Sequence, residues 1–267
     1  MKLGFLSDIH LDDNQQYFEA SLLDILIEKV KSEKLDYLFI SGDISSDDKE
    51  TLRVVKKINE EIDTSTFFVP GNHDVWRKDK SSIDSIFNLN ANKYAVTDRV
   101  VEINDEWAVV GAFPWYDYSL DTEGMPKDFY RISDMWPDSK FTDWQMADPE
   151  FTELQLQRTS EIIQDIPSEK KIILVQHFVP HEDFVIIKEG NRNWNLCNAF
   201  MGTKCISDLC FHYPNIKTVT FGHTHYRFGI TEKFDAAFFG NPLGYRHEWD
   251  TGEFEKELET CLLVKRI

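Results

Sequence analysis

The sequence KLGFLSDIH, residues 2–10, places an apolar run directly before an Asp-x-His segment. The sequence LDYLFISGD, residues 35–43, repeats this pattern and ends in Gly-Asp. Short apolar runs that stop at polar residues or glycine are typical of buried strands. Between the two runs, apolar residues recur at helical spacing from Phe18 to Val30. The segment therefore predicts a β-α-β unit.

Strand and helix patterns alternate along most of the chain. After the first unit we expect a helix from about Asp47 to Ile62 and a strand from Thr66 to Val69. Further on we expect a hairpin over 100–113, a helix over 153–166, strands over 171–176 and 217–221, a short helix over 204–211, two strands near 228–231 and 236–239, and a final strand over 258–266. This alternation argues for an α/β fold with parallel strands and right-handed crossovers.

Length and charge narrow the class of protein. The chain has 267 residues, and 29 Lys and Arg against 47 Asp and Glu give a formal net charge of -18. A chain of this length can bury a large core, and we expect one domain over residues 1–267. The acidic excess argues against long nucleic acid or an anionic membrane as a partner, because both require a basic face.

Cysteine spacing and hydropathy favour a cytoplasmic protein. The four cysteines show no C-x-x-C spacing, which favours free thiols in a reducing compartment over disulfides or a zinc knuckle. The apolar run before Asp8 is too short for the core of a signal peptide, and no apolar run approaches the length of a membrane span.

Aromatic residues are concentrated between about 115 and 150, where no helical or strand period persists. We interpret this region as an insertion over one face of the domain. Most of its rings are expected to form a small core that holds a long loop in place. Trp115 and Tyr116 are the best candidates to face a cleft, because they follow a predicted strand directly. Rings in a cleft can stack on a base or pack on an apolar leaving group.

Polar clusters follow five of the predicted strands. They are Asp8-Ile9-His10, Gly42-Asp43, Gly71-Asn72-His73-Asp74, His177 and Gly222-His223-Thr224-His225. In open α/β sheets, ligands bind beyond the carboxyl ends of the strands, where several segments converge. Residues two apart on an extended segment point the same way, so that pairs such as Asp8 and His10 can hold one ion.

The residue types in these clusters indicate a metal site. Carboxylate, imidazole and amide ligands suit Mn, Fe, Zn or Co, and no thiol occurs in the five clusters. In the alternative interpretation, every histidine is an ordinary core or surface group. That interpretation would have to hold independently at each cluster.

The ordered set Asp-x-His, Gly-Asp, Gly-Asn-His-Asp, a later His after a strand, and Gly-His-x-His resembles the motifs of the calcineurin-like metallophosphoesterase family. The resemblance extends from Asp8 to His225. It implies a four-layer α/β sandwich, in which helices flank two packed mixed β-sheets, and two divalent metal ions at one edge, Mn or Fe before Zn or Co.

The resemblance also implies a role for each motif residue. One ion would be held by Asp8, His10, Asp43 and His225. The other would be held by Asp43, Asn72, His177 and His223, so that Asp43 bridges the two. His73 would be the catalytic histidine, with Asp74 as its orienting partner.

The chemistry of phosphoester hydrolysis agrees with these roles. Two ions roughly 3.5–4 Å apart can clamp a phosphate and lower the pKa of a water between them, so that a metal-bridging hydroxide attacks in line. His73 would supply the proton for the leaving oxygen, and a carboxylate beside it, such as Asp74, would favour the protonated imidazole. Asn72 would add a ligand without adding charge.

Other histidines and arginines carry weaker signals. Three histidines are expected to be loop or helix-end residues and not ligands: His181, His212 and His247. Three arginines are candidates for phosphate contacts, because a guanidinium matches phosphate oxygens, although each alone is more often a surface charge: Arg192, Arg227 and Arg246.

The sequence thus predicts a dinuclear metal-dependent hydrolase of a phosphomonoester or phosphodiester, with a small phosphorylated molecule as the favoured substrate. Two alternatives stay open. One is a nuclease acting on short nucleic acid. The other is a non-catalytic scaffold that retains the fold, although loss of catalysis would tend to erase the ligands.

Overall fold

The computed structural model describes all 267 residues. The strands are β1 (Lys2–Leu6), β2 (Tyr37–Ser41), β3 (Ser65–Val69), β4 (Val100–Glu102), β5 (Trp107–Gly111), β6 (Lys171–Val175), β7 (Ile216–Phe221), β8 (Gly229–Lys233), β9 (Ala236–Gly240) and β10 (Leu263–Arg266). The α-helices are α1 (Leu11–Gln15), α2 (Leu22–Glu33), α3 (Asp48–Glu61), α4 (Ser82–Asn90), α5 (Lys127–Arg131), α6 (Asp138–Phe141), α7 (Asp148–Gln164), α8 (Arg192–Cys197), α9 (Cys205–His212) and α10 (Phe254–Cys261).

The strands form two mixed sheets. The first has the order β10-β1-β2-β3, in which only β10 is antiparallel to its neighbour. The second has the order β4-β5-β6-β7-β9-β8, in which the two edge strands β4 and β8 are antiparallel to theirs. Helices join β1 to β2, β2 to β3, β5 to β6 and β6 to β7, as the strand-helix alternation predicts, whereas the parallel strands β7 and β9 are joined through the edge strand β8.

Three apolar layers hold the two sheets and the outer helices together. In β2, Phe39 faces a core shared by the two sheets. Leu38 and Ile40 point the other way and pack against helices outside the first sheet, because successive side chains of a strand alternate between its faces. A third core lies between the second sheet and helices that include α7 and α9. The predicted four-layer α/β sandwich is confirmed.

The helices differ most from the sequence predictions, which did not include α1, α5, α6 or α8. The segment expected as a strand over 258–266 is a helix, α10, followed by the shorter strand β10. Its apolar residues Phe254, Leu258 and Cys261 lie at helical spacing and are buried in the first sheet's outer core. Helix α4 was not predicted.

The aromatic-rich region follows β5 and contains the short helices α5 and α6 before α7 begins. Five of its rings join the outer core of the first sheet: Trp115, Tyr116, Tyr118, Tyr130 and Trp144. None of the protein's helices is both long enough and apolar enough to cross a membrane.

Candidate metal centre

The carboxyl ends of five parallel strands meet at one edge of the sandwich. Asp8 and His10 follow β1, Asp43 follows β2, and Asn72 follows β3, all in the first sheet. The second sheet contributes three histidines beyond β6 and β7: His177, His223 and His225. The structure brings all seven predicted ligands together at this edge.

The first ligand group consists of Asp8, His10 and His225, whose ligand atoms lie within 4.8 Å of one another. The Nε2 atoms of His10 and His225 are 3.1 Å apart. His225 Nε2 is also 3.4 Å from Asp8 Oδ1. Two imidazoles and a carboxylate thus point at one small volume.

The second ligand group consists of Asp43, His177 and His223, again within 4.8 Å. His177 Nε2 lies 3.3 Å from Asp43 Oδ2 and 3.2 Å from Asn72 Oδ1. Asp43 Oδ2 is also 3.7 Å from His10 Nε2 in the first group. Asp43 therefore lies between the two groups, where a bridging ligand would have to be.

Burial and charge make the site suited to cations. Asp8 Oδ2 and His10 Nδ1 are buried without a hydrogen-bond partner. Burial alone would raise the pKa of the Asp43 carboxyl, but the imidazoles of His177 and His73 hold it well below its usual range. Burial and the neighbouring His177 lower the pKa of His223 to about 3, which keeps this imidazole neutral as a metal ligand requires. The residues present fit divalent metal ions.

The backbone at the ligands is strained. Five of the seven have φ in the left-handed region, between 42° and 68°: Asp8, His10, Asp43, His223 and His225. Such conformations are uncommon for residues other than glycine and cluster at functional sites. They aim side chains from tight turns into the space between the sheets.

Two glycines allow the ligand loops to approach each other. A Cβ at Gly71 would lie 2.1 Å from Asp43 Oδ1, and a Cβ at Gly222 would lie 1.8 Å from Asp8 Oδ2. Neither position can hold a side chain without displacing a carboxylate. The absence of a side chain at these two glycines thus leaves room for the carboxylates of Asp43 and Asp8.

Asp74 does not orient His73, and this part of the sequence prediction is wrong. Its Oδ2 accepts hydrogen bonds of 2.8 Å from the backbone N–H groups of Asp43 and Gly71. Its Oδ1 accepts from further backbone N–H groups of the loop after β2. The buried side chain of Asp74 accepts all of these backbone hydrogen bonds. It thereby fixes the loops that carry Asp43 and Asn72.

His73 stands in the wall of a cavity beside both ligand groups. Its ring stacks on Trp76 at a centroid distance of 3.6 Å, and its Nε2 lies 3.4 Å from the Tyr245 hydroxyl. Burial lowers the pKa of His73, while Asp43 acts in the opposite direction. A lower pKa makes the protonated imidazole a stronger acid but reduces its protonated fraction at neutral pH.

Two carboxylates that sequence reasoning missed hold ligands in place. Glu248 Oε2 accepts from His225 Nδ1 at 2.6 Å. Asp138, on the aromatic-rich insertion, accepts from Asn72 Nδ2 at 2.9 Å and thereby turns the amide oxygen of Asn72 toward His177. No spacing in the sequence signals either contact, because both partners are far away along the chain.

The cavity has a volume of about 390 Å³. Its wall includes Trp76, Trp136, Trp194, Tyr226 and Tyr245 beside the ligand residues. The prediction that Trp115 and Tyr116 face the cleft is wrong. Both are buried, and they pack against Phe178 and neighbouring rings. They therefore belong to the small core of the insertion.

The remaining candidates lie outside the ligand groups. His181 accepts from the Asp183 backbone N–H, His212 contacts the Asp208 carbonyl at the end of α9, and His247 stacks on Tyr245. The three candidate arginines do not line the cavity: Arg192 pairs with Glu123, Arg227 with Glu257, and Arg246 lies against Trp249.

The fold and the site together define a metal-dependent phosphoesterase. The calcineurin-like phosphoesterase family profile matches residues 1–227, and the chain belongs to this family. No curated protein sequence matches significantly.

Solved structures agree on the fold. The phosphopantetheinyl hydrolase of Mycobacterium tuberculosis has a TM-score of 0.72 and 18% identity, over 99% of this chain and 95% of that one. A dimetal phosphatase from Danio rerio has a TM-score of 0.52 and 13% identity, over 91% of this chain and 87% of that one. At these identities the similarity establishes the fold alone.

Proposed function

We propose that the protein hydrolyses a phosphomonoester or phosphodiester of a small molecule at two divalent metal ions. The observation that carries this proposal is the pair of ligand groups with Asp43 between them, opening into a cavity whose wall contains His73. When bound, two such ions neutralise phosphate oxygens and activate a water for in-line attack.

The protein's own residues supply the remaining steps of this proposal. Asp8, His10, Asp43 and His225 would hold one ion, and Asp43, Asn72, His177 and His223 the other. His73 donates a proton to the leaving oxygen from Nε2. Glu248 and Asp138 keep His225 and Asn72 in the orientation that the ions require.

Two alternatives are less well supported. A nuclease acting on short nucleic acid would be helped by basic side chains that contact the phosphates beside the scissile one, whereas no Lys or Arg lines the cavity and the net charge is -18. A non-catalytic scaffold would have no reason to keep strained backbone at five ligands. Mn or Fe as the resident metal and a cytoplasmic location stay predictions.

The test is metal-dependent hydrolysis by the purified protein. After removal of metal with a chelator, we expect Mn²⁺ or Fe²⁺ to restore cleavage of p-nitrophenyl phosphate or bis(p-nitrophenyl) phosphate. Zn²⁺ and Co²⁺, nucleotides, an oligonucleotide and a phosphopantetheine ester complete the panel. No hydrolysis with any divalent ion would favour the scaffold, and preference for the oligonucleotide would favour the nuclease.

His73→Ala tests the proton donor. We expect this variant to bind metal normally but to lose about 10²–10⁴-fold in kcat on a phenyl ester, whose leaving group needs a proton. The loss should be smaller on the p-nitrophenyl ester, whose leaving group is more acidic. His212→Ala, which changes a histidine on the surface end of α9, is the matched control. Equal losses on both esters would contradict the role of His73.

A further inference from the structure

The cavity wall beside the ligand groups is rich in apolar side chains. Among its lining residues, Trp136, Trp194 and Tyr226 provide ring surfaces, and Ile186 and Met201 provide aliphatic surface. No Lys or Arg lines it, and its ionisable groups apart from histidine and tyrosine are carboxylates and one thiol. The wall therefore offers contact area to an apolar group.

The rings of this wall are held in position. Trp136 Nε1 donates to Asp138 Oδ2 at 3.0 Å, and Trp76 Nε1 donates to Asp138 Oδ1 at 2.6 Å. Trp194 Nε1 donates to the Ile186 carbonyl at 2.8 Å. Because their polar N–H groups are already bonded, these indoles present apolar surface to the cavity. Fixed rings also lose little conformational entropy when a ligand binds.

One cation lies against the rings of this wall, although it does not line the cavity. The Lys188 ammonium lies over the Trp194 ring, 3.2 Å from its centroid. Arg192 and Arg227 form ion pairs with Glu123 and Glu257. The Lys188 ammonium is also 5.9 Å from the centroid of the Tyr226 ring, so two rings of the wall share this cation–π contact.

We infer that this cavity selects phosphate esters whose organic part is a flat, apolar group. The aromatic wall of Trp136, Trp194 and Tyr226 takes up that group while the phosphate lies at the ligand groups. This inference rests on the proposed function, because the phosphate must be held by the metal site. Trp194 is the specificity residue best suited to a test, because it is only partly buried and its replacement leaves the core intact.

Three phosphonates that share one headgroup separate the contribution of the aromatic wall from that of the metal site. Isothermal titration on the Mn²⁺-loaded protein compares benzylphosphonate, methylphosphonate and 3-phosphonopropionate. We expect benzylphosphonate to bind about tenfold or more tightly than methylphosphonate, as stacking on an aromatic side chain would give. We expect 3-phosphonopropionate to bind less tightly than benzylphosphonate, since its carboxylate cannot use the apolar surface of the wall.

Trp194→Ala should abolish most of the benzyl advantage and leave the Kd for methylphosphonate unchanged. Trp194→Phe, which keeps a ring, should retain much of the advantage. Phe87→Ala is the matched control, because Phe87 is an exposed ring on α4 and does not line the cavity. Thermal melts of each variant check that the fold is intact.

The outcomes are distinguishable. Equal Kd values for the benzyl and methyl compounds, binding of 3-phosphonopropionate as tight as that of benzylphosphonate, or an unchanged benzyl advantage in Trp194→Ala would each overturn the inference. If ester hydrolysis with Mn²⁺ still occurs, the proposed function survives. If no phosphonate binds in a metal-dependent way and no ester is hydrolysed, both are overturned.

Discussion

At the residue scale, His225 is controlled by a side chain outside the ligand groups. Its Nε2 faces Asp8 and His10, while its Nδ1 donates to Glu248 Oε2. Glu248 Oε2 also accepts from the Tyr245 backbone N–H at 2.8 Å, so the carboxylate is itself held in place. A carboxylate on the far nitrogen of a metal-binding imidazole fixes its tautomer and makes it a better ligand.

Glu248→Gln should therefore weaken metal binding at the first ligand group. We expect the Mn²⁺ affinity of that site to fall about 10–100-fold, with the second site little changed. Isothermal titration of the metal-free protein with Mn²⁺ measures the affinities of both sites. Glu253→Gln, an exposed change that removes only a surface pair with Lys256, is the control. Equal weakening at both sites would contradict the assignment of Glu248 to His225.

The motif residues could be predicted from the sequence because their chemistry lies in short local patterns. Which carboxylate supports which ligand could not. Asp74 is adjacent to His73 in sequence, yet it bonds the backbone of the loop after β2. Asp138 reaches Asn72 across 66 residues of sequence. Such pairings depend on how distant loops pack, which no local pattern encodes.

At the element scale, the strands and the three longest helices, α2, α3 and α7, could be predicted because burial imposes a period of two or of 3.6 residues. Asp47 caps α3, accepting from the Lys49 and Glu50 N–H groups at 2.9 Å. The aromatic-rich insertion has no such period. Its order comes from ring packing and from long-range hydrogen bonds, for example that of Tyr118 to Asp148 at the start of α7.

Asp148 gives a pH prediction for this element. Burial raises the pKa of Asp148 to about 6, although the hydrogen bond from Tyr118 acts against the rise. Because the native state holds the proton more tightly than the unfolded chain, stability from this group falls as pH rises from about 4 to about 6. Asp148→Asn should remove that loss. Between pH 4 and pH 7, the free energy of unfolding of this variant should rise by about 1–3 kcal/mol relative to that of the wild type.

Urea unfolding at several pH values measures this difference. Asp165→Asn, at the exposed end of the same helix, serves as the control and should follow wild type. If plots of the free energy of unfolding against pH stay parallel for Asp148→Asn and wild type from pH 4 to pH 7, the folded protein does not hold a proton on Asp148.

At the scale of the whole molecule, the two sheets share one core, which supports our proposal that residues 1–267 form one domain with an insertion at about 115–150. The net charge of -18 makes the protein a poor partner for polyanions. It does not oppose a phosphate substrate, because bound metal ions would be the largest local charges in the cleft.

Metal binding should therefore stabilise the whole fold. An ion that binds only the native state at 100 times its Kd contributes about 2.7 kcal/mol, which corresponds to roughly 5–10 °C in Tm for a chain of this size. We expect Mn²⁺ to raise Tm by this amount per occupied site, measured by calorimetry against a chelator-treated sample at the same ionic strength.

Asp43→Asn distinguishes specific binding from general screening of the acidic surface. Asp43 lies between both ligand groups, so its loss should weaken both sites and remove most of the Mn²⁺-induced rise in Tm. Screening of the -18 net charge would stabilise this variant as much as wild type, because one charge in so many changes little. Asp105→Asn, in the exposed turn between β4 and β5, removes the same charge away from the site and should keep the full rise. A full rise in Asp43→Asn would mean that the ions act on the surface and not at the sheet edge.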